Sequence, residues 1–372
     1  MKLQSLQLYD FRNYETASVK FHPGVNLIVG ENAQGKTNLL ESVFYLSTGK
    51  SFRTARNQEL IRFGADFTDL NCSLFSGGRE QSLRAVLFSG RKPRQLYIGG
   101  VKQRSAAGLS GVLTTVLFCP DDLLILKSGS AGRRKILDTA LCQLRPGYAQ
   151  ALAEYQKLYD SKSRILKDYH DAPSLLEPLP EFNYRMAQVG AIVISYRAKF
   201  LRELSRQAQL YHTEFSGGRE ALSLIYQTVS TVTDPFADKK TIFQQLLDHQ
   251  QAHYRAELDS GQCLSGPHKD DFETLLGERS VKAYGSQGQT RTAAISLKLA
   301  ERELFRADTG EEPVLLLDDV LSELDARRQD FVLNQIRSGQ VLITCCEPER
   351  ITNIGKRIFV EGGQIREESS CI

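Results

Sequence analysis

The feature that most constrains this chain is the stretch "VNLIVGENAQGKTNLLESVFYL", residues 25–46. VNLIV is a short apolar run suited to a buried strand, and TNLLESVF places Leu39, Leu40, Val43 and Phe44 on one helical face. Between them GENAQGKT fits the pattern G-x-x-x-x-G-K-[ST] in its required strand–loop–helix setting. In such a loop Gly30 and Gly35 let the backbone of Glu31, Asn32, Ala33 and Gln34 curl around phosphate oxygens, and the positive end of the helix faces the same anion. Lys36 is placed to reach the β- and γ-phosphates of ATP and the Thr37 hydroxyl to ligate Mg²⁺. Any fold for this chain has to contain a nucleotide-binding α/β core.

Far downstream, EPVLLLDDV (312–320) reads as a buried strand ending in two carboxylates. Ligands of parallel sheets sit at the carboxyl ends of the strands, so Asp318 suits a direct or water-mediated Mg²⁺ contact and Asp319 suits polarising an attacking water. QVLIT (340–344) is a second apolar strand. Some thirty residues before Asp318, YGSQGQTR (284–291) is a second Gly/Ser/Gln loop, opening a helix expected over about 290–306. SELD (322–325) follows Asp319 almost at once.

Composition adds limits. Of 372 residues 41% are hydrophobic and 24% charged, an ordinary globular balance. No apolar run is long enough to span a bilayer and residues 1–14 have no signal region, so the expected location is the cytoplasm and no membrane partner is expected. Seven cysteines without C-x-x-C spacing argue for reduced thiols rather than disulfides or a zinc ribbon. The net charge of +3 is uninformative, but its distribution is not. Arg79, Arg84, Arg91, Lys92, Arg94, Lys102 and Arg104 face the single acid Glu80 between residues 70 and 119, a window of +6. It reads either as a set of solvated hairpins, turning at Gly77-Gly78, Gly90 and Gly99-Gly100, or as a phosphate-facing surface.

From Pro146 the pattern becomes helical, over 147–169, 182–215 and about 238–258, interrupted by the turn DAPSLLEPLPE and the strand-like ALSLIYQTVS. Heptads are not sustained, which excludes a long coiled coil. From about 264 strand and loop character returns. His268 among Lys269, Asp270 and Asp271 suggests a metal site less than it suggests a hydrogen-bonded turn.

The order of phosphate loop, Ser-x-Gly-Gln, acidic strand and SELD resembles the ABC/SMC superfamily of ATPase heads. LYDFRNYE (8–15), FCPDDL (118–123), RRKILD (133–138), SGPHKDD (265–271) and YGSQGQTRTAAISLKLAE (284–301) resemble, more narrowly, the RecF family within it. The resemblance implies an ATPase head of residues 1–120 plus 261–372, with a mixed sheet and a β-hairpin layer, and an inserted, mostly helical arm over 121–260. It implies an ATP-driven homodimer in which Ser286, Gly288 and Gln289 cap the nucleotide held by the other subunit's Lys36. It implies DNA binding, duplex, gapped or at a junction, and action with RecO and RecR in loading RecA at gaps, with roles in replication recovery and SOS induction. Arg12 and Asn13 lie in the turn that such heads place near base and phosphates.

The chain departs from the superfamily it resembles at three points. Asp319 stands where most members have Glu, which predicts slow hydrolysis. A γ-phosphate-sensing His is replaced by Thr344, Cys345 or Cys346, of which Thr344 is preferred. No Gln occurs over 116–123, where Asp121, Asp122 or neither takes the metal contact. A chromosome-organising head and, from another class, a monomeric P-loop phosphotransferase are the competing readings.

Overall fold

The apolar runs noted in the sequence line up as neighbours. In this computed structural model, which describes residues 1–336, 338–346 and 355–367, Val25–Val29 lies between Lys356–Glu361 and Val341–Cys345. Val314–Leu317 and Thr115–Phe118 follow, all five parallel, and Gln364–Glu367 closes the other edge antiparallel. Strands covered on both faces must be apolar throughout, which is why VNLIV and VLLL show no alternation.

A second six-stranded sheet is antiparallel: Tyr14–Lys20, Lys2–Phe11, Phe67–Ser76, Arg79–Phe88, Gln95–Ile98 and Val101–Gln103 in spatial order. Its strands alternate because only one face is buried. The helix Lys36–Thr48 packs against both sheets, and its Leu39, Leu40 and Val43 are fully buried in one core with Leu70, Leu83, Leu316 and Leu342. Each such side chain contributes about 2 kcal/mol of transfer free energy. The hairpins expected over 70–104 are present, with Gly77, Gly78, Gly99 and Gly100 at positive φ in the two tight turns.

The chain divides into two compact units, residues 1–124 with 294–372, and residues 125–293. The second unit holds the helices Ser130–Leu144, Pro146–Asp168, Leu179–Ser216, Lys239–Ala252 and Tyr254–Ser260. The helix expected over 238–258 is two, broken at His253. Residues 261–293, grouped by sequence with the two ends of the chain, fall in this second unit. The reason is a sheet: Asp271–Leu276 pairs antiparallel with Leu222–Gln227 and with Arg279–Ser280.

SGPHKDD is the joint of that unit. The buried Arg197 guanidinium donates to both Asp138 oxygens at 2.9 Å, to the Pro267 carbonyl at 2.7 Å and to the fully buried Asp270 at 2.9 Å. Asp270 also accepts from Thr228 Oγ1 at 2.6 Å and from the Tyr226 hydroxyl. His268 Nδ1 meets the Tyr155 hydroxyl at 2.7 Å and Nε2 the Cys263 carbonyl at 2.9 Å. A carbonyl only accepts, so Nε2 carries the proton and Nδ1 accepts from Tyr155. Both nitrogens are committed, and His268 is a packed turn residue.

Burial holds the His268 imidazole down at about 4, with Lys269, Lys162 and Arg134 repelling the added proton against the pull of the Cys263 carbonyl. A histidine depressed in the native state binds its proton more readily when unfolded. Its contribution to stability is therefore present above the unfolded value of 6.5 and is lost as pH falls from there toward 4. We expect a loss of about 3 kcal/mol across that window that is absent from His268→Gln, which keeps one acceptor and one donor. Denaturant titrations of both proteins from pH 7 to about pH 4 measure it; parallel curves would refute this assignment.

Candidate functional site

Strand register brings the candidate residues to one edge. Val29 pairs with Cys345, and Leu317 with Ile343 and Phe118, so the chain leaves three neighbouring strands at Gly30, Asp318 and Cys346. The loop between Gly30 and Lys36 turns through Ala33 at φ 65° and Gly35 at φ 121°. The two glycines are needed for different reasons. A Cβ on Gly35 would meet the Asn13 amide at 2.8 Å as well as sit in a strained conformation, whereas a Cβ on Gly30 would collide with the Val360 carbonyl oxygen. Gly30 is thus demanded by the neighbouring strand, a reason additional to the phosphate chemistry read from the sequence.

Asn13 and Gln34 fix the loop from outside. Asn13 Nδ2 donates to the Gln34 carbonyl at 2.8 Å, its Oδ1 accepts from Asn38 at 2.8 Å, and the Gln34 side chain accepts from Gly362 N at 2.6 Å. The buried Tyr14 hydroxyl donates to the Gly35 carbonyl at 2.9 Å. Arg12, at φ 54°, makes a bidentate pair with the buried Glu41 at 2.8 and 2.9 Å and donates to the Glu59 carbonyl. Its guanidinium neutralises a carboxylate beneath the helix, while Asn13 is the member of the turn that touches the loop.

Lys36 is buried, and its ammonium donates to the Gly30 carbonyl at 2.7 Å, the Glu31 carbonyl at 2.9 Å and Cys346 Sγ at 3.2 Å. Cys346 in turn lies 3.2 Å from Asn32 Oδ1. Thr37 Oγ1 donates to Asp318 Oδ1 at 2.9 Å. Asp319, turned into the left-handed region at φ 49°, donates its N–H to Thr344 Oγ1 at 2.8 Å. The single Thr344 proton goes to Asp318 Oδ1 at 3.1 Å, the nearer of the two carboxylates. Thr344 therefore braces the acid pair, and Cys346 is the side chain of this segment that reaches Lys36.

Burial pushes the Asp318 carboxyl up, with Asp319 adding to the rise; the Thr37 and Thr344 hydroxyls and the Arg53 charge oppose it. No lysine or arginine among the described residues forms an ion pair with Asp318. A buried carboxylate beside a threonine hydroxyl, without a direct ion pair, fits a hard divalent cation that keeps several waters. Asp122 does not fit that role: it accepts from Cys119 N at 2.9 Å and pairs with Lys298 at 3.4 Å. Asp121 is exposed. Arg53, which belongs to none of the motifs, donates to Asn38 at 2.7 Å, lies 3.7 Å from Glu41 and adds a positive charge acting on Asp318; only its place just after the loop helix hints at it.

The helix Gln287–Thr309, of which residues 287–293 belong to the second unit and the rest to the first, starts three residues earlier than expected. Ser286 and Gln289 form a capping box: Gln289 N donates to Ser286 Oγ at 3.2 Å and Ser286 N donates to Gln289 Oε1 at 2.9 Å. Gln289 Nε2 also donates to Glu220 at 2.7 Å. Ser286 is exposed and Gly288 half-buried.

The basic window lies on the antiparallel sheet. Arg84 pairs with Asp69 at 2.9 Å, and Arg94 donates to the Tyr45 hydroxyl at 3.0 Å and to the Gly49 carbonyl, so these two are engaged locally. Arg79, Arg91, Lys92, Lys102 and Arg104 are exposed.

The brace is testable. Thr344→Val removes the hydroxyl at constant volume and should lower ATP turnover by about 10–100-fold, with little change in nucleotide affinity. Thr344→Ser should restore most of it. Nucleotide titration and single-turnover hydrolysis separate the two effects, and equal losses in both would assign Thr344 to binding instead.

Comparison with known proteins agrees with this geometry. The sequence model described as RecF/RecN/SMC N terminal domain matches residues 2–362. "DNA replication and repair protein RecF" of Acetivibrio thermocellus is 35% identical over 373 residues, covering 99% of both chains. The protein of the same name from Staphylococcus haemolyticus is 38% identical over 374 residues, 98% of this chain and 100% of that one. Among solved structures, that of the recombination mediator protein RecF-ATPrS in the RecFOR pathway superposes with a TM-score of 0.92 at 31% identity, covering 99% of this chain and 98% of the other. An SMC head bound to the C-winged helix domain of ScpA shares the fold, with a TM-score of 0.57 at 16% identity and coverage of 100% and 98%. This chain belongs to the RecF family of ABC/SMC-type ATPases.

Proposed function

We propose that this protein is an ATP-dependent, DNA-binding recombination mediator, acting with RecO and RecR to promote RecA loading at gapped DNA. The observation that carries the reading is the convergence of Lys36, Thr37, Asp318 and Asp319 on one sheet edge, in a chain alike over its whole length to named RecF proteins. The first compact unit acts as ATPase head and the second as the helical arm. Among the described residues no helix is long and apolar enough to cross a membrane, in keeping with a cytoplasmic role.

Lys36 exchanges its loop carbonyls for the β- and γ-phosphate oxygens of ATP. Thr37 and Asp318 hold Mg²⁺, which supplies charge neutralisation of the phosphates. Asp319 orients the attacking water. An aspartate reaches one methylene less far than glutamate, so turnover is slow and hydrolysis serves as a switch. Ser286, Gly288 and Gln289 complete the site of the partner subunit, so ATP binding and dimerisation are linked.

Light scattering with and without ATP tests this on the wild type, Lys36→Met and Ser286→Arg. An ATP-dependent dimer is expected for the wild type alone, while Ser286→Arg still binds nucleotide. A wild type that stays monomeric with saturating ATP and DNA rejects the reading, and is what a monomeric phosphotransferase would give. For DNA, the exposed Arg91 and Lys102 are the informative pair. Arg91→Gln with Lys102→Gln should weaken binding uniformly across sequences and reduce the salt slope by about 2. An unchanged slope would remove the window from the interface.

A further inference from the structure

The outward face of the antiparallel sheet carries rings where a solvated sheet carries polar side chains. On that face Tyr9 and Phe67 are 45% and 38% exposed and stack at 5.5 Å, and Phe67 lies opposite Phe88 across the next strand pair at 6.5 Å. Lys92 sits 4.0 Å above the Phe88 ring. One strand further, Tyr97 lies between Arg84, 5.8 Å over its ring, and Lys102 on the edge strand. The row between the two sets of rings holds Asp69, Val86 and Gln95; Gln7 and Asn71 flank Arg84 and Tyr97 in the next row, and Ser73 and Ser82 follow beyond it.

Sheet stability does not require this arrangement. Cross-strand pairing accounts for Phe67 against Phe88, but Tyr9 is on a third strand and extends the row into solvent. Contiguous exposed apolar surface on a folded chain marks a contact site. The Asp69–Arg84 pair cancels on this face, which leaves Lys92 and Lys102 as the charges beside the rings, with Glu80 farther along, opposite Phe75. Rings spaced along a sheet, with cations above and beside them and amide and hydroxyl groups in the adjoining rows, match unpaired bases. Bases stack on the rings, the backbone phosphates meet the cations, and base edges meet the amides. Duplex DNA hides its base faces and would use the cations alone.

We propose that this sheet face is a stacking platform for single-stranded DNA, with Tyr9, Phe67 and Phe88 as the rings and Lys92 and Lys102 as the phosphate contacts. The inference rests on the DNA-binding reading given above and specifies which part of a gapped substrate this face takes. Stacking is sequence-tolerant, so the platform holds any exposed strand.

The test uses the full-length protein without nucleotide, so that dimerisation does not enter. Fluorescence anisotropy compares a labelled thymidine oligonucleotide with an abasic strand of equal length, for the wild type, Tyr9→Leu, Phe67→Leu and the double variant. Leucine keeps apolar bulk on the strand and removes the ring, and ATP binding by each variant reports an intact head. The expected results are weaker binding of the abasic strand and a loss of about tenfold in thymidine-strand affinity for the double variant. A photoreactive 5-iodouracil strand should crosslink to the peptides carrying Tyr9 or Phe67. Equal affinity of wild type and double variant for the thymidine strand, or equal binding of abasic and thymidine strands, overturns the platform. ATP-dependent duplex binding is measured in parallel: if it survives while the platform fails, the DNA-binding reading stands without it.

Discussion

The register of the parallel strands is the constraint on which the head depends. With Val29 opposite Cys345 and Ile343 opposite Leu317, Thr37, Asp318 and Thr344 meet; a slip of one residue would present Ile343 or Cys345 in place of the Thr344 hydroxyl. Hydrophobic pattern cannot impose that register, because these strands are apolar on both faces. A buried amide at the other end of the strands does so. The fully buried Gln340 accepts from Leu3 N at 2.7 Å and donates to the Leu3 and His22 carbonyls at 2.8 Å. Asn26, also fully buried, ties His22 to its own strand, accepting from His22 N at 2.7 Å and donating back to the His22 carbonyl at 2.8 Å. An amide left unpaired in the core loses about 1–3 kcal/mol, so each shifted register is penalised at the end remote from the chemistry.

What was legible in the sequence was local or carried by a pattern. GENAQGKT declared its strand, loop and helix because backbone geometry, helix dipole and lysine reach all act within a dozen residues. The rest depended on contacts between distant segments. That Gly30 must accommodate the Val360 carbonyl, or that residues 261–293 join a sheet begun at Leu222, is set by partners that no local window contains. The sequence prefers Thr344 over Cys345 and Cys346, but the run QVLIT holds no partner that could separate their roles. That separation turns on which strand position faces Asp318 and which follows the strand's end, near Lys36.

SGPHKDD shows the opposite failure of composition. Its His, Lys and paired acids invite a metal, yet Asp270 is occupied by Arg197, Tyr226 and Thr228, and His268 by Tyr155 and the Cys263 carbonyl. Buried ion pairs of this kind add little net stability over a hydrophobic substitute, but removing one partner is severe, about 3–5 kcal/mol. The network therefore acts chiefly against alternatives. It joins the helices Ser130–Leu144 and Leu179–Ser216 to the strand Leu222–Gln227, and a packing that separates them leaves a buried charge unpaired.

The same hydrogen-bond accounting divides the labour within YGSQGQTR. Gln289 uses its carbonyl oxygen on Ser286 N and its amide on Glu220, so it holds the turn rather than reaching outward. Ser286 Oγ accepts from Gln289 N, and a hydroxyl that accepts once still has its own proton to give. That proton leaves from an exposed side chain at the positive end of a 23-residue helix, where an anion is favoured. Of the three residues that the sequence grouped as nucleotide contacts, Ser286 is thus the one with a proton left for the partner's phosphate in the proposed dimer, and Gln289 the one that would aim it. Substituting Ser286 also removes a helix cap, at about 1 kcal/mol, so a dimer lost through Ser286→Arg is attributable to the phosphate contact only if the helix stays folded.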